Sequence, residues 1–281
     1  MCADQVTARE LAARHGLRWR YGHWQGDCPH CLYKGALTVS ERDGRLFWHC
    51  HNCHDQTAVM AALLGDRPAA AVYTAPPKAD DADARRTVAL RLYHAAIESD
   101  LIDRWLRARG LTRPSGAPLR LLREAKHPSG SRWPCMVALV VDVAGHSQAV
   151  HRTFLLPDGT GKAPVEPCRM TLGSVGGGAV QLWPAAPRLI VAEGIETAIA
   201  AAELLQGPAW AATSAGNLGD LMRLPAVVTE VVIAADNDAP GKAAAARAAA
   251  RFRAEGRRVR IALPDRPGAD FNDVLRTRGN G

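Results

Sequence analysis

Aromatic side chains are scarce in this sequence: they make up 5% of 281 residues, with four Phe and four Tyr beside seven Trp. Acid is the minority sign, 28 Asp and Glu against 35 Lys and Arg, for a net charge of +7. That excess fits an anionic partner, and a solvated cationic surface is the plain alternative. No apolar run approaches the roughly 20 residues of a membrane-spanning helix, and the N-terminus has no signal-peptide pattern. No Walker A motif occurs. Gly161-Lys162 and Gly241-Lys242 are each followed by Ala where Ser or Thr is needed, and the preceding glycine spacing is missing. No P-loop ATPase or helicase motor therefore lies within these residues. A disulfide framework is also lacking. Four of the seven Cys form two close pairs, while Cys2, Cys135 and Cys168 are scattered and read as unpaired, reduced thiols. Together these absences lead to the expectation of a cytoplasmic protein with no membrane partner.

The positive signals begin near the N-terminus. Residues 4–15 read as an amphipathic helix with Val6, Leu11 and Ala12 on one side and Gly16 as its stop. Arg9, Arg14, Arg18 and Arg20 add positive charge. Next come Cys28-x-x-Cys31 and Cys50-x-x-Cys53, separated by the strand candidates 37–39 and 46–48 with Asp43-Gly44 between them. Two such pairs held apart by a hairpin predict a tetrahedral zinc ribbon with Cys28, Cys31, Cys50 and Cys53 as ligands. His30, His51 and His54 lie close by, but four Cys complete the shell symmetrically. A closed four-ligand shell makes the zinc structural, not catalytic. Trp19, Tyr21 and Trp24 either pack under this zinc site or stack on bases, and packing is the expectation. Asp55 is placed to cap a helix over 56–64 that Gly65 ends. Residues 1–66 are thus expected to be a zinc-ribbon domain.

Residues 67–84 are rich in Pro, Ala and Asp and predict an extended linker. Residues 85–186 predict a basic α+β segment. A helical pattern over 85–109 stops at Gly110, and an apolar strand at 135–142 has its partner at 148–155 across an Ala144-Gly145 turn. From 85 to 188 there are 15 Lys and Arg against seven Asp and Glu. Arg152, Lys162 and Arg169 flank Gly-rich turns where long cationic side chains meet phosphates, or form an ordinary solvated face. Gly176-Gly177-Gly178 reads as a flexible turn, too degenerate for a phosphate loop.

The chain is organised around residues 187–242. Apolar strand candidates at 188–192, 230–235 and 258–263 alternate with Ala-rich helical runs at 197–205 and 242–255, which predicts a parallel sheet covered on both faces. Ligands bind outside the carboxyl ends of such strands. Glu193 leaves the first strand at that edge, Asp236 and Asp238 the second, Asp270 and Asp273 the third. Any one of these carboxylates alone is an ordinary helix N-cap. Three acidic groups at three successive strand ends instead point to a hard divalent cation, Mg²⁺ or Mn²⁺, completed by water and substrate phosphate. Asn217, in Ser214-Ala215-Gly216-Asn217, either touches substrate or makes a turn.

Glu193-Gly194 after a strand, Asp236-x-Asp238 after a later strand, and Gly241 resemble the TOPRIM fold of bacterial-type primases, topoisomerases, recombination mediators and some nucleases. The ribbon, linker, basic segment and TOPRIM-like region in this order resemble compact primases of phages, plasmids and mobile elements. The strings Trp105–Leu111, 151–155 with 158–163, 191–198, and 267–273 share that likeness. The resemblance implies a multidomain protein: Cys₄ zinc ribbon, basic α+β segment and α/β TOPRIM domain at 187–281. It implies primer synthesis on single-stranded DNA from nucleoside triphosphates, with Glu193, Asp236 and Asp238 catalytic and metal-binding. By the same likeness Asp270 and Asp273 serve a second metal, Arg152, Lys162, Arg169 and Asn217 contact nucleic acid or nucleotide, and a separate replicative helicase is a partner. Glu196 departs from the pattern, standing where cellular primases commonly have Asp and one residue nearer the motif glutamate. Two rivals stand beside this reading: a non-catalytic zinc/TOPRIM mediator or replication regulator that binds single-stranded DNA, and a TOPRIM nuclease. A topoisomerase is disfavoured, because the four Tyr (Tyr21, Tyr33, Tyr73, Tyr93) all precede the TOPRIM-like region.

Overall fold

The computed structural model describes residues 6–20, 22–42, 44–51, 55–65 and 79–279. Cys53 lies outside the described residues, as do Cys2, Tyr21, Asp43, His54 and the expected linker up to residue 78. The chain divides into two compact units, Met1–Lys78 and Ala79–Gly281. Among the described residues no helix is long and apolar enough to cross a membrane.

In the first unit, α1 (Ala8–His15) starts at a capping box. Thr7 accepts from the Glu10 N–H, and Glu10 Oε2 accepts from the Thr7 N–H at 2.8 Å. Gly16 closes the helix with φ 64°. Strands β1 (Arg18–Arg20), β2 (His23–Gly26), β3 (Leu37–Arg42) and β4 (Arg45–Cys50) then form an antiparallel meander in that order. The β3–β4 register pairs Arg42 with Arg45, the two-residue connection that an Asp-Gly turn predicts. Helix α2 (Gln56–Leu64) begins at Asp55, whose carboxylate accepts from the Ala58 N–H at 2.9 Å. Leu11, Leu37, Val39, Trp48, Val59 and Leu63 close the core between helices and sheet. Trp24 is half-buried against it, whereas Trp19, expected to pack, is 60% exposed and meets Trp24 edge-on at 5.2 Å. The reason is position: β1 is the edge of the sheet, with no strand beyond it to cover the ring.

The second unit opens with α3 (Ala79–Ala95), so residues 79–84 are helical although their composition predicts linker. The single helix expected over 85–109 is two. Ile97 leaves the helix to exchange backbone hydrogen bonds with Leu121, at 2.9 and 2.8 Å, and Ser99 then caps α4 (Asp100–Arg107). A four-stranded antiparallel meander comes next: β5 (Leu119–Lys126), β6 (Arg132–Val141), β7 (Ser147–Phe154) and β8 (Arg169–Gly173). Its faces are explained by the two-residue period of a strand. Cys135, Val137, Val150 and Phe154 pack with Ala89 and Ala96, while Met136, Ala138, Val140 and Ala149 pack on the opposite side. The uninterrupted apolar run in β6 is thus a strand buried on both faces.

That opposite side belongs to the same core as the C-terminal layers. Strands β9 (Val180–Gln181), β10 (Arg188–Ala192), β11 (Ala209–Ala211), β12 (Glu230–Ala234) and β13 (Arg258–Ala262) form one sheet in the order β13-β12-β10-β11-β9. It is parallel except for β9, which pairs antiparallel with β11. Ile190, Ala192, Val232 and Ala234 meet α5 (Ile195–Leu205) and the meander. Leu189, Val191, Val231 and Ile233 meet α6 (Ala239–Ala254) through Ala245, Ala248 and Phe252. Parallel strands covered on both faces read as continuous apolar runs, as these do. The last helix is α7 (Phe271–Gly279). Since β9 joins this sheet and one core runs from Leu101 to Phe271, residues 85–186 and 187–281 share a single packed body.

Candidate active site

The fold delivers the acidic residues at the carboxyl ends of adjacent strands. Glu193 follows β10, and its carbonyl accepts from the Thr213 N–H at 2.8 Å. Asp236 follows β12, and Asp238 is the N-cap of α6, its Oδ1 accepting from the Gly241 N–H at 2.7 Å. Between them Asn237 is buried and holds the loop after β13. Its Nδ2 donates to Pro264 O at 2.8 Å, its N–H to Ala269 O at 2.9 Å, and its carbonyl accepts from the Gly268 N–H at 2.7 Å. This clamp brings Asp270 to Asp236.

The electrostatics identify the centre of the cluster. Burial pushes the Asp236 carboxyl up to about 7, and the charges of Glu193, Asp270 and Asp238 push in the same direction, with Arg169 opposing them. Its Oδ1 is buried and has no hydrogen-bond partner among the described residues. A buried carboxylate oxygen with no donor, beside three more acids, is a donor set for a hard cation. Asp270 is also raised, by burial first and then by Asp273 and Glu196, against the pull of backbone N–H groups. Asp273 is placed differently. It forms a reciprocal cap with Asp270, whose Oδ1 accepts from the Asp273 N–H at 2.8 Å, and its other neighbour is Arg266 at 3.7 Å. The structure therefore groups Glu193, Asp236, Asp238 and Asp270, with Asp270 also the N-cap of α7, and leaves Asp273 as its capping-box partner in the first turn of that helix.

Cations face this group from the meander. The register sets His151 opposite Thr171 and Thr153 opposite Arg169, so these four share one face, while Arg152 and Met170 share the other. Arg169 lowers the Asp236 carboxyl. Lys162, in the β7–β8 connection, pairs with Glu196 on the first turn of α5, Nζ to Oε1 at 3.1 Å. Burial raises the Glu196 carboxyl, yet Lys162 and Arg169 outweigh it and the net shift is downward. His151 is pushed down to about 4 by burial, then by Arg169, with Glu196 opposing, so it is neutral near pH 7. Arg152 does not join them. It lies on the side of α3, with its guanidinium 5.9 Å from the Phe154 ring and Nε buried without a hydrogen-bond partner among the described residues. Asn217 is also removed from the substrate-contacting set. It is 1% exposed, and its amide donates to Gly178 O and Ala212 O, both at 2.8 Å, and accepts from the Gly177 N–H at 3.1 Å. Both amide hydrogens and the amide oxygen are engaged by the backbone they brace, and the glycine run 176–178 is a pinned turn.

The sulfur ligands form a second site, in the first unit. Cys28, Cys31 and Cys50 place their Sγ atoms within 4.8 Å of one another, with Cys31 and Cys50 at 3.6 Å. A zinc–sulfur bond of about 2.3 Å implies a tetrahedral edge of about 3.8 Å, so the three sulfurs fit three corners of such a shell. Among the described residues this is the one group of three ligand atoms so close together. His30 and His51 are not part of the sulfur group.

Sequence reasoning missed two members of the active-site region. Asn237 carried a signal, an amide between two acids, but only the folded chain shows that it clamps the loop of Asp270. Glu196 stood in the motif as a departure, and its partner Lys162 comes from a different part of the chain.

Comparison with known proteins agrees with this architecture. Residues 188–281 match the family described as Toprim domain, and residues 83–182 match a family described as a domain of unknown function, DUF7146. The zinc-binding and RNA polymerase domains of the Aquifex aeolicus primase are similar in fold, with a TM-score of 0.50 and 14% identity over 98% of this chain and 81% of that one. The primase fragment of the bacteriophage T7 primase-helicase gives 0.45 and 17% over 91% of this chain and 95% of that one. A DNA primase domain from Pseudomonas aeruginosa gives 0.46 and 18% over 69% and 74%. Residues 188–281 thus carry a Toprim domain, and the multidomain chain is similar in fold to the Aquifex aeolicus primase domains, with a Cys cluster on a small antiparallel sheet ahead of the Toprim region.

Proposed function

We propose that this protein is a DNA primase, which makes short primers on single-stranded DNA by metal-dependent nucleotidyl transfer from nucleoside triphosphates. The observation that carries the reading is the partnerless, buried Oδ1 of Asp236, crowded by Glu193, Asp238 and Asp270 and faced by Arg169. Glu193, Asp236 and Asp238, with Asp270 beside them, would hold Mg²⁺ or Mn²⁺. Bound there, the cation neutralises phosphate charge and lowers the barrier to displacement at phosphorus. Lys162 and Arg169 orient the triphosphate so that a primer 3′-hydroxyl meets the α-phosphate in line and pyrophosphate leaves. Glu193 shares the cation or takes the hydroxyl proton. His151, neutral at physiological pH, adds no charge to the cationic wall.

In the first unit Cys28, Cys31 and Cys50, with Cys53, would hold a structural zinc. Exposed Trp19 on β1 suits a single strand, since an aromatic face accepts any base; Arg18 and Arg20 lie on the strand's other face. A separate helicase would supply the unwound template.

The test is primer synthesis. The full chain is incubated with mixed-sequence single-stranded DNA, labelled nucleoside triphosphates and Mg²⁺ or Mn²⁺, beside Asp236→Asn. Short products that vanish in the variant are the expected result. Template binding without synthesis in either protein overturns the catalytic reading in favour of a DNA-binding mediator or regulator, and shortened template points to a nuclease.

A further inference from the structure

The Lys162–Glu196 pair is an enclosed opposite-charge contact, and the proposed nucleotidyl transfer gives its acid no task. Glu196 is 8% exposed and the Lys162 side chain 23%. Taking both charges out of water costs several kcal/mol per ion, which the mutual attraction offsets only in good geometry. Core stability alone therefore does not account for an ammonium and a carboxylate at this position.

Glu196 stands beside the metal group and is paired away from its centre. The acids that press on Asp236 are Glu193, Asp270 and Asp238; Glu196 presses on Asp270, while its own ion pair is with Lys162, and Arg169 and His151 lie near it. Lys162 belongs to a connection between strands, and its side chain is a flexible four-carbon stem ending in three donors. One contact to a carboxylate fixed on the first turn of α5 restricts that stem and leaves donors for a second anion. We propose that Glu196 is a positioning residue, which holds the Lys162 ammonium at the edge of the acidic centre to receive a nucleotide's phosphates and does not itself ligate the metal. This rests on the nucleotidyl-transfer reading. It also gives a physical sense to the departure at 196: an acid one residue closer to Glu193 than in cellular primases serves the lysine.

Calorimetry on the full chain tests the assignment by measuring Mn²⁺ binding alone and ATP binding with Mn²⁺ present. The proteins are the wild type, Glu196→Gln, Lys162→Met, the double variant, and Asp236→Asn as the metal-site control. Glu196→Gln is expected to keep Mn²⁺ affinity within about twofold of wild type and to weaken ATP about tenfold, the loss of one charge-assisted contact. The double variant is expected to bind ATP no more weakly than Lys162→Met. Loss of Mn²⁺ affinity in Glu196→Gln comparable to that in Asp236→Asn overturns the inference, since Glu196 is then a ligand. Independent effects that multiply in the double variant overturn it as well. Glu196→Asp keeps the charge but shortens its reach, so intermediate ATP weakening is expected even if the Gln variant folds poorly. A wild type that binds Mn²⁺ but no ATP overturns the nucleotidyl-transfer reading and this inference together. A wild type that binds ATP, with Glu196→Gln unchanged, overturns this inference alone.

Discussion

Asn237 donates its side-chain amide to the carbonyl of Pro264 at 2.8 Å, and that bond ties the loop after β13 to the loop after β12. The two loops carry Asp270 and Asp236, so a buried neutral residue sets the spacing of the acids. Asn237→Ala is expected to lower stability by about 1–3 kcal/mol, because it leaves the Pro264 carbonyl unpaired. It should also weaken Mn²⁺ binding in the fraction that remains folded. Thermal unfolding and Mn²⁺ calorimetry read the two effects separately. A variant with the stability loss and wild-type Mn²⁺ affinity would show that the clamp does not set the acids.

The protonation of Asp236 gives a pH prediction. Its carboxyl sits at about 7 in the metal-free protein, against about 3.9 in an unfolded chain. Between those values the folded state keeps a proton that the unfolded state has released. The group's contribution is therefore fully present below about pH 4 and is lost as pH rises to about 7. Asp236→Asn removes this dependence. Without metal, the variant should become more stable than wild type as pH rises through that window, by up to a few kcal/mol, and the difference should level off above it. Added Mg²⁺ should raise the unfolding midpoint of wild type more at about pH 8 than at about pH 5, because the cation competes with the proton. Parallel stability curves for the two proteins would contradict the assignment.

The parts of this architecture that were legible in the sequence are those written in local pattern. The apolar runs at 188–192 and 230–234 have strand length and end in acids, so their carboxyl-end placement follows from the rule for parallel sheets. Faces and long-range partners are written elsewhere. Arg152 and His151 are adjacent in sequence, and only the strand register decides which of them meets the acidic centre; a one-residue slip would exchange them. The break at Ile97 depends on a bridge to Leu121, and Lys162 finds Glu196 across intervening strands, so neither is visible to a helical period or a motif. Asn217 beside a glycine matches a turn and a substrate contact equally well until its three amide partners are known.

The sulfur cluster predicts a folding dependence confined to the first unit. Cys28 and Cys50 are buried in its core with Leu37 and Trp48, so the shell and the packing form together. Chelation of zinc, or Cys31→Ala, should unfold this unit, as expected where metal binding supplies folding free energy. The second unit, with its own core, should keep its unfolding transition. Metal analysis should give one zinc per chain in wild type and a large loss in Cys31→Ala, and Cys53→Ser should behave as Cys31→Ala does. Full zinc content in Cys53→Ser would remove Cys53 from the shell.

Gly241 gives the most local test of the acidic turn. A Cβ there would lie 2.6 Å from the Asp236 carbonyl oxygen, closer than real contacts allow, and 3.1 Å from Asp236 Cβ, a tight contact. The first of these neighbours is backbone and has no side-chain rotation by which to escape. The Gly241 N–H is also the donor to Asp238 Oδ1, so any shift of residue 241 moves both acids of the pair. Gly241→Ala is expected to cost about 1–3 kcal/mol, as overpacking does in a close contact. It should also reduce Mn²⁺ affinity well beyond the effect of Lys242→Ala, whose side chain is exposed on the same helix. The comparison matters because both substitutions put Ala at the start of α6, and only one intrudes between the acids. If Gly241→Ala loses stability but binds Mn²⁺ as Lys242→Ala does, the turn shapes the helix start and not the metal centre, and Asp238 reverts to the ordinary N-cap its residue type allows.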